Sequence, residues 1–440
     1  MIIIVPLWIT AALILAFFPQ GNYAVNGSIF IIWCLTIIIF FKKDSKFSMA
    51  SLLFFIGYTI AALSGFVAEG GSYFSEIKEY SYFTGAVARN LCLCAILLIC
   101  AYQTNRLLYN LNLISVTMPV YLNSIFKKII LCAVSLSIVI LLGIHLRYGS
   151  PNDYNVDRFY YWSNIAPEWG GYFKFILIQM AIYLGLFFSS TKNKLYILLF
   201  LLSLVAQVLV GEKLTGLYIS VIFFVIPVVV NNRISVLRFL FHPKSLMIIS
   251  MGMIALFLIV LASYNSLAGR GTGLDLFLNR LVLQSQMWWA VDNISNQNLN
   301  INEAISHMLG FMSSSDVDTG IYYLMSKIAD PVTFYWFYDK GITFTMASPV
   351  NFLYFFGPYW SYLFIVPLGV LLGFSIHMLL RSIELMDLVL LFFTLKLFYI
   401  MIRVVTMGEV HLIFDYKFAI ILLVLLFYML QVRKRIYHNA

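Results

Sequence analysis

The sequence predicts an all-α polytopic membrane protein. Of its 440 residues 62% are hydrophobic and 11% charged, and the mean hydropathy is +0.91; a soluble domain carries about 25% charged residues. The apolar residues come in long runs, and roughly 20 in a row let a helix cross the hydrocarbon of a bilayer. Residues 1–440 therefore read as a single transmembrane bundle. In such a chain the net charge of +9 is an orientation signal rather than a sign of nucleic-acid binding.

The spans follow in order. Ile2 opens an apolar run with no basic stretch before it and no cleavage pattern after it. Residues 2–18 are thus expected to form a first membrane helix and not a removed signal peptide. Further spans are expected at 28–41, 48–68, 85–102, 128–146, 172–189, 195–210, 215–230, 246–264, 358–378, 385–402 and 416–432, which makes about twelve in all. The stretch 195–230 is too long for one ordinary helix, and its only charges are Glu212 and Lys213. A charge at the bilayer centre costs at least about 2.5–3.5 kcal/mol, so the run is split at Gly211-Glu212-Lys213. The five cysteines all fall inside apolar segments, so neither a disulfide framework nor a zinc site is expected.

Orientation follows from the charges. With the N-terminus cytoplasmic, fifteen basic residues, from Lys42 to Arg435, fall in cytoplasmic loops or at their span edges. Only Asp44, Glu384 and Asp387 accompany them; the other 13 basic residues and 16 acids lie outside or within spans. That bias obeys the positive-inside rule and places both termini in the cytoplasm. Glu212 and Lys213 then form a hairpin tip at the outer membrane–water boundary.

The polar mass lies on that outer side, in 69–84, 147–171, 403–415 and above all 265–357, a loop of about 93 residues between spans nine and ten. The only long cytoplasmic connection is 103–127. No Walker motif is present, which argues against ATP-driven chemistry. Within the large loop, 273–291 places Leu274, Phe277, Leu278, Leu281 and Val282 on one helical face, with Arg280 and Gln284 on the other. The expectation is an interfacial amphipathic helix with Trp288 and Trp289 at headgroup depth. "SSSDVDTGIYYLMSKIAD" reads as a second helix, with Asp316 or Asp318 near its N-terminus. Aromatic clusters at Phe159–Trp162, Trp169, Trp288-Trp289 and Phe334–Tyr338 are either an interfacial belt or a platform for sugar stacking. Arg158 stands beside the first cluster, and Asp339 and Lys340 beside the last.

Several cations sit where the orientation rule disfavours them: Arg89, Arg147, Arg158, Arg270, Arg280, Arg403, Lys213 and Lys396. Lys396 and Arg403 share a helix face, with Tyr399 between them. Such a set suits an anion at the outer leaflet, because arginine binds phosphate oxygens bidentately. A polyprenyl diphosphate is the membrane-borne anion that fits. It is also a good leaving group for sugar transfer, and arginines would stabilise its developing charge without a metal. Glu212, Glu409 and His411 are candidates for the base that such a transfer needs. The Asp316-Val317-Asp318 triplet admits either a metal-binding reading or a helix cap; no metal site is expected.

The chain resembles the O-antigen polymerase (Wzy) family of bacterial polysaccharide polymerases. Its topology is similar over most of the length. "GEKLTGLY" (211–218) looks like the family's Gly-Glu-Lys turn, and "RGTGLD…NRLVLQSQMWW" (270–289) looks like its loop helix. The step from Arg158 to Gly170 is one residue longer than the arginine–glycine spacing of the family's outer-loop motif. The resemblance implies a GT-C-like bundle in the bacterial inner membrane that joins undecaprenyl-diphosphate-linked oligosaccharide repeat units at the periplasmic face. It implies no cofactor, and it admits a chain-length regulator protein as partner. On this reading Glu212 and Arg280 serve catalysis, while Arg158, Lys213, Arg270 and Arg403 bind substrate. The alternatives are an O-antigen ligase with the same donor, and a repeat-unit flippase or other transporter. The flippase would call for midplane charges and repeated halves that are not evident here.

Overall fold

The computed structural model describes residues 4–18, 21–111, 120–156, 158–212, 215–232, 243–268, 273–295, 299–311 and 315–438. It is almost wholly helical. The first half comprises α1 (Ile4–Phe17), α2 (Tyr23–Lys43), α3 (Ser45–Ala50), α4 (Leu52–Glu69), α5 (Ala86–Leu111), α6 (Val120–Tyr148), α7 (Gly170–Thr191), α8 (Leu195–Leu209) and α9 (Thr215–Asn232). After α10 (Pro243–Ala268) come the shorter α11 (Gly273–Val282), α12 (Gln286–Ile294), α13 (Gly320–Ile328) and α14 (Pro331–Asp339). The chain closes with α15 (Val350–Glu384), α16 (Leu388–Met407) and α17 (Tyr416–His438).

Each expected span overlaps a helix, although 48–68 is divided at Ser51 between α3 and α4. Among the described residues eight helices are long and apolar enough to cross a membrane, so the chain is an all-α, multi-pass membrane protein. Ile4–Phe17, Leu195–Leu209 and Tyr416–Leu430 are apolar but shorter. The split at Gly211 is present: α8 ends at Leu209, Gly211 takes a left-handed φ of 88°, and α9 starts at Thr215. The expected connection 103–127 is mostly helix, because α5 runs on to Leu111 and α6 already begins at Val120. Polar residues such as Gln103 and Asn105 do not interrupt a helix that extends past the apolar segment. In α15, Gly357 (φ 67°, ψ 175°) breaks the helix just before Pro358, where span ten was expected to start.

Helices approach closely where a side chain is missing. A Cβ at Gly373 of α15 would lie 2.3 Å from the Ala101 carbonyl of α5, and one at Gly185 of α7 would lie 2.1 Å from the Phe224 carbonyl of α9. Apolar chains in lipid gain little by hiding from lipid, so such tight backbone contact is a main source of helix association.

The described residues of 265–357 fold onto one end of the bundle, called here the loop side. They differ from the expected interfacial helix. The 273–291 segment breaks at a 3-10 turn, Leu283–Ser285, and α12 turns inward against α4, α5 and α15. Trp288 and Trp289 are 1% and 2% exposed, so they are core residues and not headgroup anchors. The Trp289 indole donates to the Tyr82 carbonyl at 2.8 Å. A two-stranded hairpin, β1 (Tyr73–Phe74) with β2 (Glu79–Tyr80), ties this loop to the first helices. Glu76 at its tip accepts from Arg280 at 2.8 Å and from Gln286 at 2.5 Å, and Lys78 pairs with Asp330 at 3.0 Å.

Below the hairpin, Arg89 of α5 meets Asp292 of α12. The guanidinium Nε donates to Oδ1 at 2.9 Å, and Nη2 donates to the Thr84 carbonyl at 2.7 Å. Both side chains are buried. Removing one member of a buried pair strands the other charge, at a cost of about 3–5 kcal/mol. Arg89→Met should therefore lower the thermal midpoint of the detergent-purified protein well beyond an exposed Arg-to-Met change. Adding Asp292→Leu should recover much of the loss. Midpoints for the two single variants and the double variant, followed by circular dichroism, check this; a double variant no better than the singles would refute it.

Candidate functional site

Three segments meet on the loop side around a cleft of about 500 Å³, a size typical of small-ligand pockets. The first is the turn entering α7, which brings Arg158, Phe159, Tyr160 and Trp162. The second is the α8–α9 turn with Glu212. The third is the end of α14, with Asp339 and Lys340; Tyr399 of α16 completes the wall. The aromatic–charged cluster Arg158–Trp162 and the charged end of the second cluster, Asp339 and Lys340, far apart in sequence, thus border one cavity. Lys340 Nζ lies 3.9 Å from the centre of the Trp336 ring.

Glu212 is the centre of its charge pattern. Its side chain is 4% exposed. Oε1 accepts from Arg158 Nη1 at 3.0 Å and from the Gly216 amide at 3.1 Å, and Oε2 receives Lys174 Nζ at 2.9 Å. Local sequence explains the placement. Gly211 supplies the left-handed turn, and a Cβ there would meet the Pro151 ring at 2.5 Å. Gly216 leaves room for the carboxylate, since a Cβ would come within 2.7 Å of it. The carboxylate therefore sits over the first turn of α9, where free amides and the helix dipole favour negative charge.

Burial alone would raise the Glu212 pKa. The nearby Lys174 and Arg158 charges and the bonds from Lys174 and Gly216 outweigh it, holding the carboxyl below its ordinary value of 4.5. Glu212 is thus held ionised as a partner for two cations. That makes it a poor proton acceptor near neutral pH. Lys174 is 8% exposed and was not among the sequence candidates. Its signal was present, as a lysine at the disfavoured end of the expected span 172–189, but a charge at a span edge ordinarily reads as an anchor.

The other expected site residues disperse. Arg280 lies outside the cleft: it is paired with Glu76 of the hairpin and is 56% exposed, which corrects the expectation that it shares a site with Glu212. Arg403 pairs with Glu409 at 2.6 Å, one helical turn beyond Tyr399. Lys396 donates to Gln179 at 2.5 Å, so its partner in the bundle is an amide and not an acid. His411 lies in the 3-10 turn Val410–Phe414, against Gly310 and Gly320. Lys213 and Arg270 lie outside the described residues. Asp316–Asp318 forms a 3-10 turn just before α13, with Asp318 Oδ2 accepting from Ser315 at 3.0 Å. Among the described residues no group of three or more His, Cys, Asp or Glu side chains gathers as a metal site would need.

Residues 314–422 match a family of unknown function (DUF6418). No curated protein and no solved structure matches the chain. The matched stretch runs from the Asp316 turn into α17. It carries Asp339, Lys340, Tyr399, Arg403 and Glu409, whereas Arg158, Lys174 and Glu212 come from outside it.

The lowered Glu212 pKa fixes a pH dependence. A carboxyl whose folded-state pKa lies below its unfolded value contributes its full stability above the unfolded value, and loses it as pH falls through the folded one. The thermal midpoint of the wild-type chain should hold above about pH 5 and fall below pH 4.5. Glu212→Gln, which strands Lys174 and Arg158, should start lower and fall less steeply. Midpoints taken between about pH 3 and 7 decide it; parallel acid limbs for the two proteins would refute the assignment.

Proposed function

We propose that this chain is a glycosyltransferase that polymerises oligosaccharide repeat units carried on undecaprenyl diphosphate. It works at the periplasmic face of the bacterial inner membrane from a GT-C-like bundle of about twelve spans, with 265–357 as its periplasmic loop and both termini cytoplasmic. One observation carries the reading. A cleft brings together two cations fixed by a buried carboxylate, a third cation in Lys340, and the aromatic side chains of Phe159, Tyr160, Trp162 and Tyr399, the features needed for a diphosphate joined to sugars.

In this reading the donor diphosphate lies against Arg158, Lys174 and Lys340, and its sugar against the aromatic wall. The acceptor hydroxyl attacks the anomeric carbon, a new glycosidic bond forms, and the carbon–oxygen bond to the diphosphate breaks. The growing glycan moves to the non-reducing end of the incoming unit, and undecaprenyl diphosphate leaves. Negative charge builds on the departing phosphate, where cations already held in position stabilise it without reorganising. Glu212 acts by holding Arg158 and Lys174 in place. Glu168 and Asp339 line the cleft with no ion pair among the described residues, and are the carboxylates left to take the acceptor proton. Arg403 and its partner Glu409 flank the site. Arg280 takes a supporting role through Glu76.

Deletion of the gene in its native strain should reduce the surface lipopolysaccharide ladder to core plus one repeat unit. Wild type should restore the ladder. Arg158→Ala should not, because losing one such contact costs about a hundredfold or more in rate. Arg280→Ala should restore it largely. An untouched ladder after deletion, or full rescue by Arg158→Ala, would sink the proposal. Loss of the single-unit band would turn it toward a ligase or flippase.

A further inference from the structure

The opposite end of the bundle holds a second concavity, of about 790 Å³, walled by the ends of α2, α5 and α15. Five cations line it: Lys42, Lys43, Lys46, Arg106 and Arg381. The carboxylates there are Asp44 and Glu384, and both are engaged. Asp44 caps α3, accepting from the amides of Lys46 at 3.1 Å and Phe47 at 3.0 Å. Glu384 is bridged by Lys46 and by Arg381, the latter at 3.3 Å. That leaves Lys42, Lys43 and Arg106, all exposed, with no carboxylate partner among the described residues.

A second observation comes from His377, which lines the same concavity and is 3% exposed. Its Nε2 is buried with no hydrogen-bond partner among the described residues. A buried polar atom left unbonded is costly, and a bound group that accepted from it or donated to it would remove the cost. A purely topological charge bias needs cations anywhere on this end. It does not require them to converge from four helices on one hollow, with the local carboxylates engaged and an imidazole nitrogen unbonded.

The geometry points to a phosphate-binding site at this end of the bundle, separate from the cleft and independent of the proposed function. Its ligand is a phosphate-bearing anion, held by Lys42, Lys43 and Arg106 at the rim, with His377 below. The phosphate can be the headgroup of an anionic phospholipid, as in other basic pockets between membrane helices, or part of a soluble compound.

The full chain, purified in detergent, distinguishes these. Native mass spectrometry would measure retention of phosphatidylglycerol against phosphatidylcholine. Thermal shift would compare sodium phosphate with sodium chloride at equal ionic strength. The test protein is Lys42→Gln/Lys43→Gln/Arg106→Gln. Its control, Lys128→Gln/Lys192→Gln/Lys194→Gln, removes three charges from the same end outside the hollow. Arg106→Gln alone serves if the triple variant is unstable. Wild type and control should prefer phosphatidylglycerol, and the pocket variant should bind it at least about tenfold more weakly. A phosphate-specific shift lost in the pocket variant, with no lipid preference, would support the site with a soluble ligand. Equal loss in control and pocket variant, or no phosphate preference in the wild type, would overturn the inference.

Discussion

Hydrocarbon offers no water to a backbone N–H or C=O, and this constraint shapes the whole chain. Each crossing segment must satisfy its own hydrogen bonds, which leaves helices as the building material and moves charge to their ends. The pairs follow that rule. Arg89 with Asp292, and Glu212 with Arg158 and Lys174, gather on the loop side. Lys46 and Arg381 with Glu384 gather at the other end. Lys396, within α16, answers the same demand with the amide of Gln179.

The α8–α9 turn shows how one carboxylate organises a site. A buried ion pair is seldom a net source of stability, because desolvating both charges offsets their attraction. Glu212 adds the Gly216 amide at the start of α9 to its two cations, so the carboxylate is well solvated by protein. The consequence is positional: a guanidinium and an ammonium are held in fixed places at a cleft wall. The two glycines flanking the turn are the steric condition for this arrangement.

The loop side is held as one piece by contacts distant in sequence. The hairpin at 73–80 reaches α11, α12 and α14 through Glu76 and Lys78, and Phe74 packs its ring 5.5 Å from Trp289. With α12 inserted among α4, α5 and α15, this part of the loop side is continuous with the bundle core.

The sequence by itself determined the membrane class, the positions of the helices and the break at Gly211. These depend on local quantities: run length, hydropathy, and the cost of a charge inside an apolar stretch. It also marked Arg158 and Glu212 as charges needing an explanation. Tertiary structure alone decided their partners. A charge at a span edge looks the same in sequence whether it faces lipid headgroups, like an ordinary anchor, or a buried carboxylate, as Lys174 does. The periodicity that gives α11 an apolar face cannot tell a bilayer surface from a protein core. Hence Trp288 and Trp289, plausible in sequence as headgroup anchors, lie buried, and Arg280 turns to Glu76 rather than to the cleft. The meeting of Arg158–Trp162 with Asp339-Lys340 depends on how helices far apart in the chain pack, which no local pattern encodes.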